Sequence, residues 1–241
     1  MTTPTSDSVS AKGLLARAVG VVFAPRATYA DIAVRPRPLP AILLVVVIIA
    51  AATFAFMSTE VGQNAAIDQQ IDAMESFGVR VTDQMIDQIE ARAGNGRYLA
   101  VVSQAVFIPL IIVIVAGLLL GIFNAVFSGD ATFKQVLGVV SHSWLLPALQ
   151  TPFVMPLNYA RESLSSATSL NIFFPFIDGM SFLGMLLGSI DLFRIWWVVS
   201  LAIGLGVLYK RRTSPIAWGL LAVYAVLALA YAGVRAALSG A

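Results

Sequence analysis

The side chains with the widest chemical range in this sequence are its single histidine and the serines on either side, Ser141-His142-Ser143. A histidine can relay protons or sense pH, and a serine activated by a base can act as a nucleophile. No base–acid partner set for a triad is visible around these serines. We therefore expect the serines to bond backbone carbonyls and His142 to be hydrogen-bonded between helices. A proton relay or pH sensor at His142 is the alternative.

Other chemistry has little support in the sequence. Cysteine is absent and there is one histidine, so thiolate and multi-histidine metal sites are excluded. The glycines at 184, 188, 204 and 206 are not followed by Lys-Ser/Thr, so no phosphate loop is present. Acidic pairs at metal-ligand spacing do not occur within an apolar segment. We expect no catalytic residue, no metal, no cofactor and no enzymatic activity.

Several polar residues interrupt apolar segments, where ionisable groups are functional candidates. Asn124 is expected to hydrogen-bond to a neighbouring helix, and Asp191 to pair with Arg194 three residues later. Asp178 marks either an interfacial loop or a water-filled vestibule with Arg161 or Arg194 nearby. The candidate intramembrane polar site comprises Asn124, Ser141, His142, Gln150, Asp178, Asp191 and Arg194.

The elements that must position these residues are apolar and long. The 241-residue chain is 59% hydrophobic and 12% charged, about half the charge of a soluble domain. Because about 20 apolar residues cross a bilayer as a helix, we predict an all-α, polytopic membrane protein with a five-helix transmembrane bundle. The predicted spans are 39–57, 98–127, 135–157, 192–209 and 214–234 within a membrane domain over 39–237.

Two of the apolar segments are irregular. The third span is broken by Pro147, Pro152 and Pro156, which kink helices or line cavities. The segment 172–190 is interrupted by Pro175 and Asp178. Its apolar run suits an interfacial or re-entrant segment better than a crossing.

The basic residues predict the orientation. The N-terminal tail, Lys134 and the run at 210–212 share one side of a five-span protein, and we interpret that side as cytoplasmic. The opposite side carries the loop 58–97, with seven carboxylates and three arginines. We expect a multi-pass protein of a cytoplasmic (inner) membrane, with its N-terminus inside and its C-terminus outside.

The segment before span one is basic and amphipathic. Residues 1–10 are polar, indicating a disordered tail and no cleaved signal peptide. Within the lead-in 11–38, apolar residues recur at helical spacing up to Phe23, which predicts a helix on the cytoplasmic leaflet; Pro25 begins a second short helix. The basic residues expected to contact anionic lipid or a partner are Lys12, Arg17, Arg26, Arg35 and Arg37.

An extramembrane αα-hairpin is predicted over 60–94, between spans one and two. Phe77-Gly78 ends its first helix, Thr82 caps the second and Gly94 closes it. Small residues at i and i+4 favour close helix packing. These residues are Gly117, Gly121, Gly184 and Gly188.

The order of these features resembles a known family. The tail carries Pro25-Arg26-Ala27-Thr28-Tyr29-Ala30-Asp31-Ile32, and span two ends Gly117-Leu-Leu-Leu-Gly121. Gly129-Asp130-Ala131-Thr132-Phe133-Lys134-Gln135 precedes Ser141-His142-Ser143 and Pro147. Span four opens Ile190-Asp191-Leu192-Phe193-Arg194-Ile195-Trp196. Over residues 15–235 the sequence resembles the Yip domain family, named for Ypt-interacting proteins, and in particular its bacterial members.

The resemblance implies five spans, a cytoplasmic N-terminus and no catalytic residues. Eukaryotic relatives bind Rab-type GTPases and one another in vesicle traffic. Their cytosolic domain is longer and carries acidic and aromatic motifs, whereas this tail is short and basic. GTPase binding is therefore not expected here.

The resulting functional hypothesis is a non-enzymatic, membrane-organising or partner-binding protein. Its expected partners are the lipid bilayer and other membrane proteins or a second copy. Nucleic acid is not expected, because the net charge is only +2. One alternative is a small transporter or channel with a polar path past His142, Gln150 and Asn158. Another is an accessory subunit of a transport or envelope complex.

Overall fold

The protein is described by a computed structural model that covers residues 13–75, 77–164, 167–179 and 181–239. Over these ranges the regular structure is helical. The helices are α1 Leu14–Phe23, α2 Pro25–Val34, α3 Pro38–Met57, α4 Glu60–Glu75, α5 Asp83–Phe127, α6 Phe133–Ser143, α7 Leu145–Arg161, α8 Phe182–Ser189, α9 Leu192–Leu208 and α10 Thr213–Ser239. The predicted tail 1–10 and Lys12 lie outside the described residues.

Three described helices are long and apolar enough to cross a membrane, namely α3, α5 and α10. The predicted third span is two helices, α6 and α7, which meet at Trp144. Pro147 lies in the first turn of α7 and has no N–H to donate to the carbonyl of Ser143, so the helix is interrupted there. The fourth predicted span, α9, has 17 residues. The described fold is all-helical, as predicted. The predicted count of five crossings requires two crossings in addition to these three helices.

The outer hairpin differs from its prediction at one end. Gly78, with φ 75°, follows α4 and ends it, and Asp83 begins α5. Gly94 does not close the second helix, because α5 continues for 45 residues to Phe127, a length of about 68 Å. A glycine inside a helix costs only about 1 kcal/mol, which the adjoining apolar span outweighs.

The bundle core lies between α3, α5, α6, α7 and α9. Its fully buried residues include Val45, Ile112, Val139, Leu146 and Leu205. Helix α3 contacts α5, α6 and α7, and α9 contacts α2, α6 and α10. Large apolar side chains also cover the outside of α3, α5 and α10, as expected for surfaces that face lipid.

The predicted interfacial segment is folded back on itself. A 3₁₀ turn at Leu170–Phe173 and the eight-residue helix α8 are both too short to cross a bilayer. The Leu170 N–H donates to the Ile190 carbonyl at 2.8 Å, and the Leu192 N–H donates to the Thr168 carbonyl at 3.2 Å. These bonds close the segment at its base.

Candidate functional site

The lead-in helices are joined by a buried ion pair. Arg17 Nη2 lies 2.8 Å from Asp31 Oδ2, and Arg17 also donates to the Arg35 carbonyl at 3.0 Å. Arg17 is 1% exposed. The prediction that Arg17 contacts lipid or a partner is therefore wrong, because helix α1 turns this face inward against α2 and presents its apolar face outward. The exposed apolar residues of α1 are Leu15, Val19 and Phe23.

Helix α2 is anchored in the bundle. Tyr29 is fully buried, and its hydroxyl shares a hydrogen bond of 2.8 Å with Ser200 Oγ of α9. Burial raises the pKa of Tyr29 above its ordinary value, so the phenol stays neutral. Gln135 of α6 donates to the Ala33 carbonyl at 3.0 Å. The sequence prediction missed this anchor, although Tyr29 and Ile32 share a helix face and are both buried.

The histidine segment forms mainly local hydrogen bonds. Ser141 donates to the Gly138 carbonyl, and Ser143 donates to the Val140 carbonyl, as expected. His142 Nδ1 lies 2.7 Å from the Gly138 carbonyl, so its described bond lies within α6 and not between helices as predicted. Its buried Nε2 has no hydrogen-bond partner among the described residues. Trp197 Nε1 donates to Ser143 at 3.0 Å and links α9 to α6.

Two candidate residues from distant segments, Gln150 and Asp191, are hydrogen-bonded to each other. Gln150 Nε2 donates to Asp191 Oδ2 at 3.0 Å, and Thr168 Oγ1 donates to the same oxygen at 2.6 Å. The other oxygen, Oδ1, accepts from the backbone N–H groups of Phe193 and Arg194 and caps α9. Asp191 is 1% exposed. The bond between Asp191 and Arg194 uses the Arg194 backbone N–H, whereas the sequence prediction paired the two side chains.

Asn124, near the end of α5, is hydrogen-bonded to two other segments. Its Nδ2 donates to the Ala131 carbonyl at 3.3 Å, and its Oδ1 accepts from the Tyr209 hydroxyl at 3.0 Å. Gly129 lies against the Tyr209 ring, where a Cβ atom would overlap it. Asn124 therefore joins the end of α5 to the segment that enters α6 and to the end of α9.

Asp178 is exposed and lines a cavity of about 870 Å³. Asp68, Asp72, Glu162 and Arg235 also line this cavity. Arg194, exposed as well, lines a neighbouring cavity of about 570 Å³. The basic residue on the wall of the cavity beside Asp178 is Arg235, and neither Arg161 nor Arg194, which the vestibule prediction named, lines it.

Most of the remaining candidate residues are exposed, and two of the glycines lie beside other residues of the chain. Arg26, Arg35 and Arg37 are exposed. Gly117 and Gly121 are exposed too, and no described atom lies within 4 Å of either Cβ position, so they do not pack helices within the chain. Their face of α5 points outward. Gly184 lies against the Asp178 carbonyl, and a Cβ on Gly188 would lie 3.5 Å from Asn171 Nδ2.

A glycine that was not predicted, Gly204, allows close contact between helices. A Cβ on Gly204 would lie 2.5 Å from Val139 Cγ1 and 3.0 Å from the Tyr29 ring. Gly204 thereby lets α2, α6 and α9 approach one another. Within the described residues, no three histidine or carboxylate side chains are arranged to hold a metal ion.

Comparison with known protein families gives a match over most of the chain. The family model described as Yip1 domain matches residues 19–235. No curated protein and no solved structure matches the chain. The matched region includes the Tyr29–Ser200 anchor, Asn124, His142 and the Asp191 cluster.

Proposed function

Because this chain belongs to the Yip1 domain family, we propose that it is a non-enzymatic membrane protein that binds partners and organises the membrane at one surface. The observation that carries the proposal is the construction of the lead-in. Helices α1 and α2 are fixed to the bundle by buried contacts at Arg17 and Tyr29, yet they expose an apolar stripe at Leu15, Val19 and Phe23. A preorganised platform with an exposed apolar stripe suits the docking of a partner protein.

The proposed topology has five crossings. They comprise α3, residues 98–127 of α5, the pair α6–α7, α9 and α10. The 17 residues of α9 lie at the lower limit of about 17 for a crossing. The N-terminus would lie in the cytoplasm and the C-terminus outside an inner membrane, because the basic turns then share the cytoplasmic side.

A crosslinking experiment tests the partner-binding role. A photoreactive amino acid is placed at Val19 or Phe23 in the lead-in, and at Leu118 or Ile122 on the exposed face of α5 as controls. All four residues are exposed. The proposal expects protein adducts from the lead-in positions and only lipid adducts from the α5 positions. Lipid adducts alone from all four positions would contradict it. Copurification in mild detergent would identify a larger complex if the chain is an accessory subunit.

One observation favours a transporter or channel as the second candidate. His142 Nε2 and Asn158 Oδ1 are buried on α6 and α7 without hydrogen-bond partners among the described residues. Buried polar atoms of this kind are often bonded to water. The candidate predicts ion or solute flux in reconstituted vesicles that His142→Phe abolishes. Absence of flux across a panel of ions and small solutes would exclude it for that panel.

A further inference from the structure

We propose that the basic cavity between α2 and the α9–α10 turn binds the phosphate of an anionic phospholipid headgroup. The cavity has a volume of about 460 Å³. Arg26 and Ala30 contribute from α2, and Lys210, Arg211 and Arg212 contribute from the turn. The lead-in and the turn are far apart in sequence, and the fold brings their charges to one cavity.

The cavity is strongly cationic. Four of the described residues that line it carry positive charge and none carries negative charge. None of the four forms an ion pair with a carboxylate among the described residues. Four like charges around one cavity repel one another, and a bound phosphate relieves that repulsion. Basic pockets beside membrane-spanning helices bind phospholipid headgroups by this chemistry.

The turn that carries three of the charges is held in a fixed shape. Lys210 has the left-handed φ of 53°, and the Arg211 N–H donates to the Gly206 carbonyl at 2.8 Å. A Cβ on Gly206 would lie 3.2 Å from the Arg211 carbonyl oxygen. The absence of a side chain at Gly206 therefore lets the turn fold back onto α9. Arg211 lies over the Phe127 ring at 5.7 Å, which further fixes the turn.

The position of the cavity favours a lipid over a soluble phosphate compound. The turn immediately precedes α10, a candidate membrane span that begins at Thr213. Exposed Trp218 lies in the next turns of α10, and tryptophan prefers the membrane–water interface. The cavity thus lies at headgroup level if α10 crosses the membrane, and the lipid assignment rests on that part of the proposed topology.

The test uses the full chain in zwitterionic nanodiscs doped with phosphatidylglycerol or cardiolipin, with bound lipid counted by native mass spectrometry. The pocket variant is Arg26→Gln, Lys210→Gln and Arg212→Gln. The matched control, Arg80→Gln, Arg92→Gln and Lys134→Gln, removes the same charge from exposed positions outside the cavity and outside the lead-in. We expect the affinity of the pocket variant for anionic lipid to be at least about tenfold lower than that of the wild type. The control should have the affinity of the wild type.

Three outcomes would overturn the assignment. They are anionic lipid retained by the pocket variant, equal losses in both triple variants, and stabilisation by inorganic phosphate that anionic lipid does not compete away. A second pair keeps the test informative if the triple variant does not fold. Ala30→Glu places a carboxylate on the cavity wall, whereas Ala27→Glu places one on an exposed position of the same helix outside it. Only Ala30→Glu should weaken lipid binding. Partner crosslinking from Val19 or Phe23 is independent of this result.

Discussion

Arg17 and Asp31 show how a charged residue can serve the fold within a lead-in whose other described arginines are exposed. The side chain of Arg17 is 2% exposed and that of Asp31 is 18% exposed. Arg17→Met should lower the free energy of unfolding by about 3 kcal/mol, because it leaves a largely buried carboxylate unpaired. Thermal unfolding in mild detergent measures the change. Arg37→Met, at an exposed arginine, is the control, and Arg17→Met with Asp31→Asn should recover part of the loss. Unchanged melting of Arg17→Met would contradict this role.

Asp191 carries a second residue-scale prediction. Asp191→Ala removes the cap of α9, which costs about 1 kcal/mol. It also removes the charged acceptor to which Gln150 and Thr168 donate, and hydrogen bonds to charged groups contribute about 1.5–3 kcal/mol. Asp191→Asn retains an oxygen that can accept the capping bonds and should cost less. Melting temperatures rank the variants, with Asp130→Ala at an exposed site as the control. Equal melting of Asp191→Ala and Asp130→Ala would show that the cluster does not stabilise the fold.

The residue types in the Asp191 cluster were predictable, but their meeting was not. Gln150 and Asp191 stand out in an apolar sequence because burying polar groups is costly. Their partners depend on the return of the chain at Thr168, which no local pattern specifies. Arg17 failed as a lipid contact for a related reason. Charge alone does not indicate which helix face points inward, and here Arg17 lies on the face of α1 that meets Asp31 of α2.

At the scale of elements, Gly204 controls how closely three helices approach. Gly204→Ala should destabilise the protein by about 1–3 kcal/mol, because its Cβ would overlap Val139 and crowd Tyr29. Gly117→Ala, on the open face of α5, should instead stabilise by about 0.5–1 kcal/mol. Melting temperatures of both variants measure the contrast. Adding Val139→Ala to Gly204→Ala should restore part of the stability. Similar losses at both glycines would contradict the assigned packing role.

Helix boundaries were predicted well where local chemistry decides them. Pro25 begins α2 and Gly78 ends α4, since a fixed φ and a left-handed φ are local requirements. Gly94 was expected to end a helix and does not. Its local cost is small compared with the cooperative gain of a helix that continues into the membrane domain. The break at Trp144 was harder to predict. Pro147 removes one helical hydrogen bond, and a proline in that position can either kink a helix or end it.

At the scale of the whole molecule, the resemblance identified in the sequence is confirmed by the match to the Yip1 domain over residues 19–235. Low charge and long apolar runs were sufficient to predict a helical membrane protein. The docking of the lead-in onto α6 and α9 was not predicted. Its amphipathic pattern fits a helix on lipid as well as one on protein, and the contacts of Tyr29 and Arg17 decide between them.

The proposed five-crossing topology predicts which residues face each side of the membrane, and cysteine labelling can test this. The chain has no cysteine, so each introduced cysteine is a unique site for a membrane-impermeant maleimide. In intact cells, Asp72→Cys and Asp178→Cys should be labelled, whereas Lys134→Cys and Arg212→Cys should require permeabilisation. Labelling of Asp178→Cys and Arg212→Cys from the same side would contradict an odd number of crossings between them. It would also move the basic turn outside, against the preference of Lys and Arg for the cytoplasm.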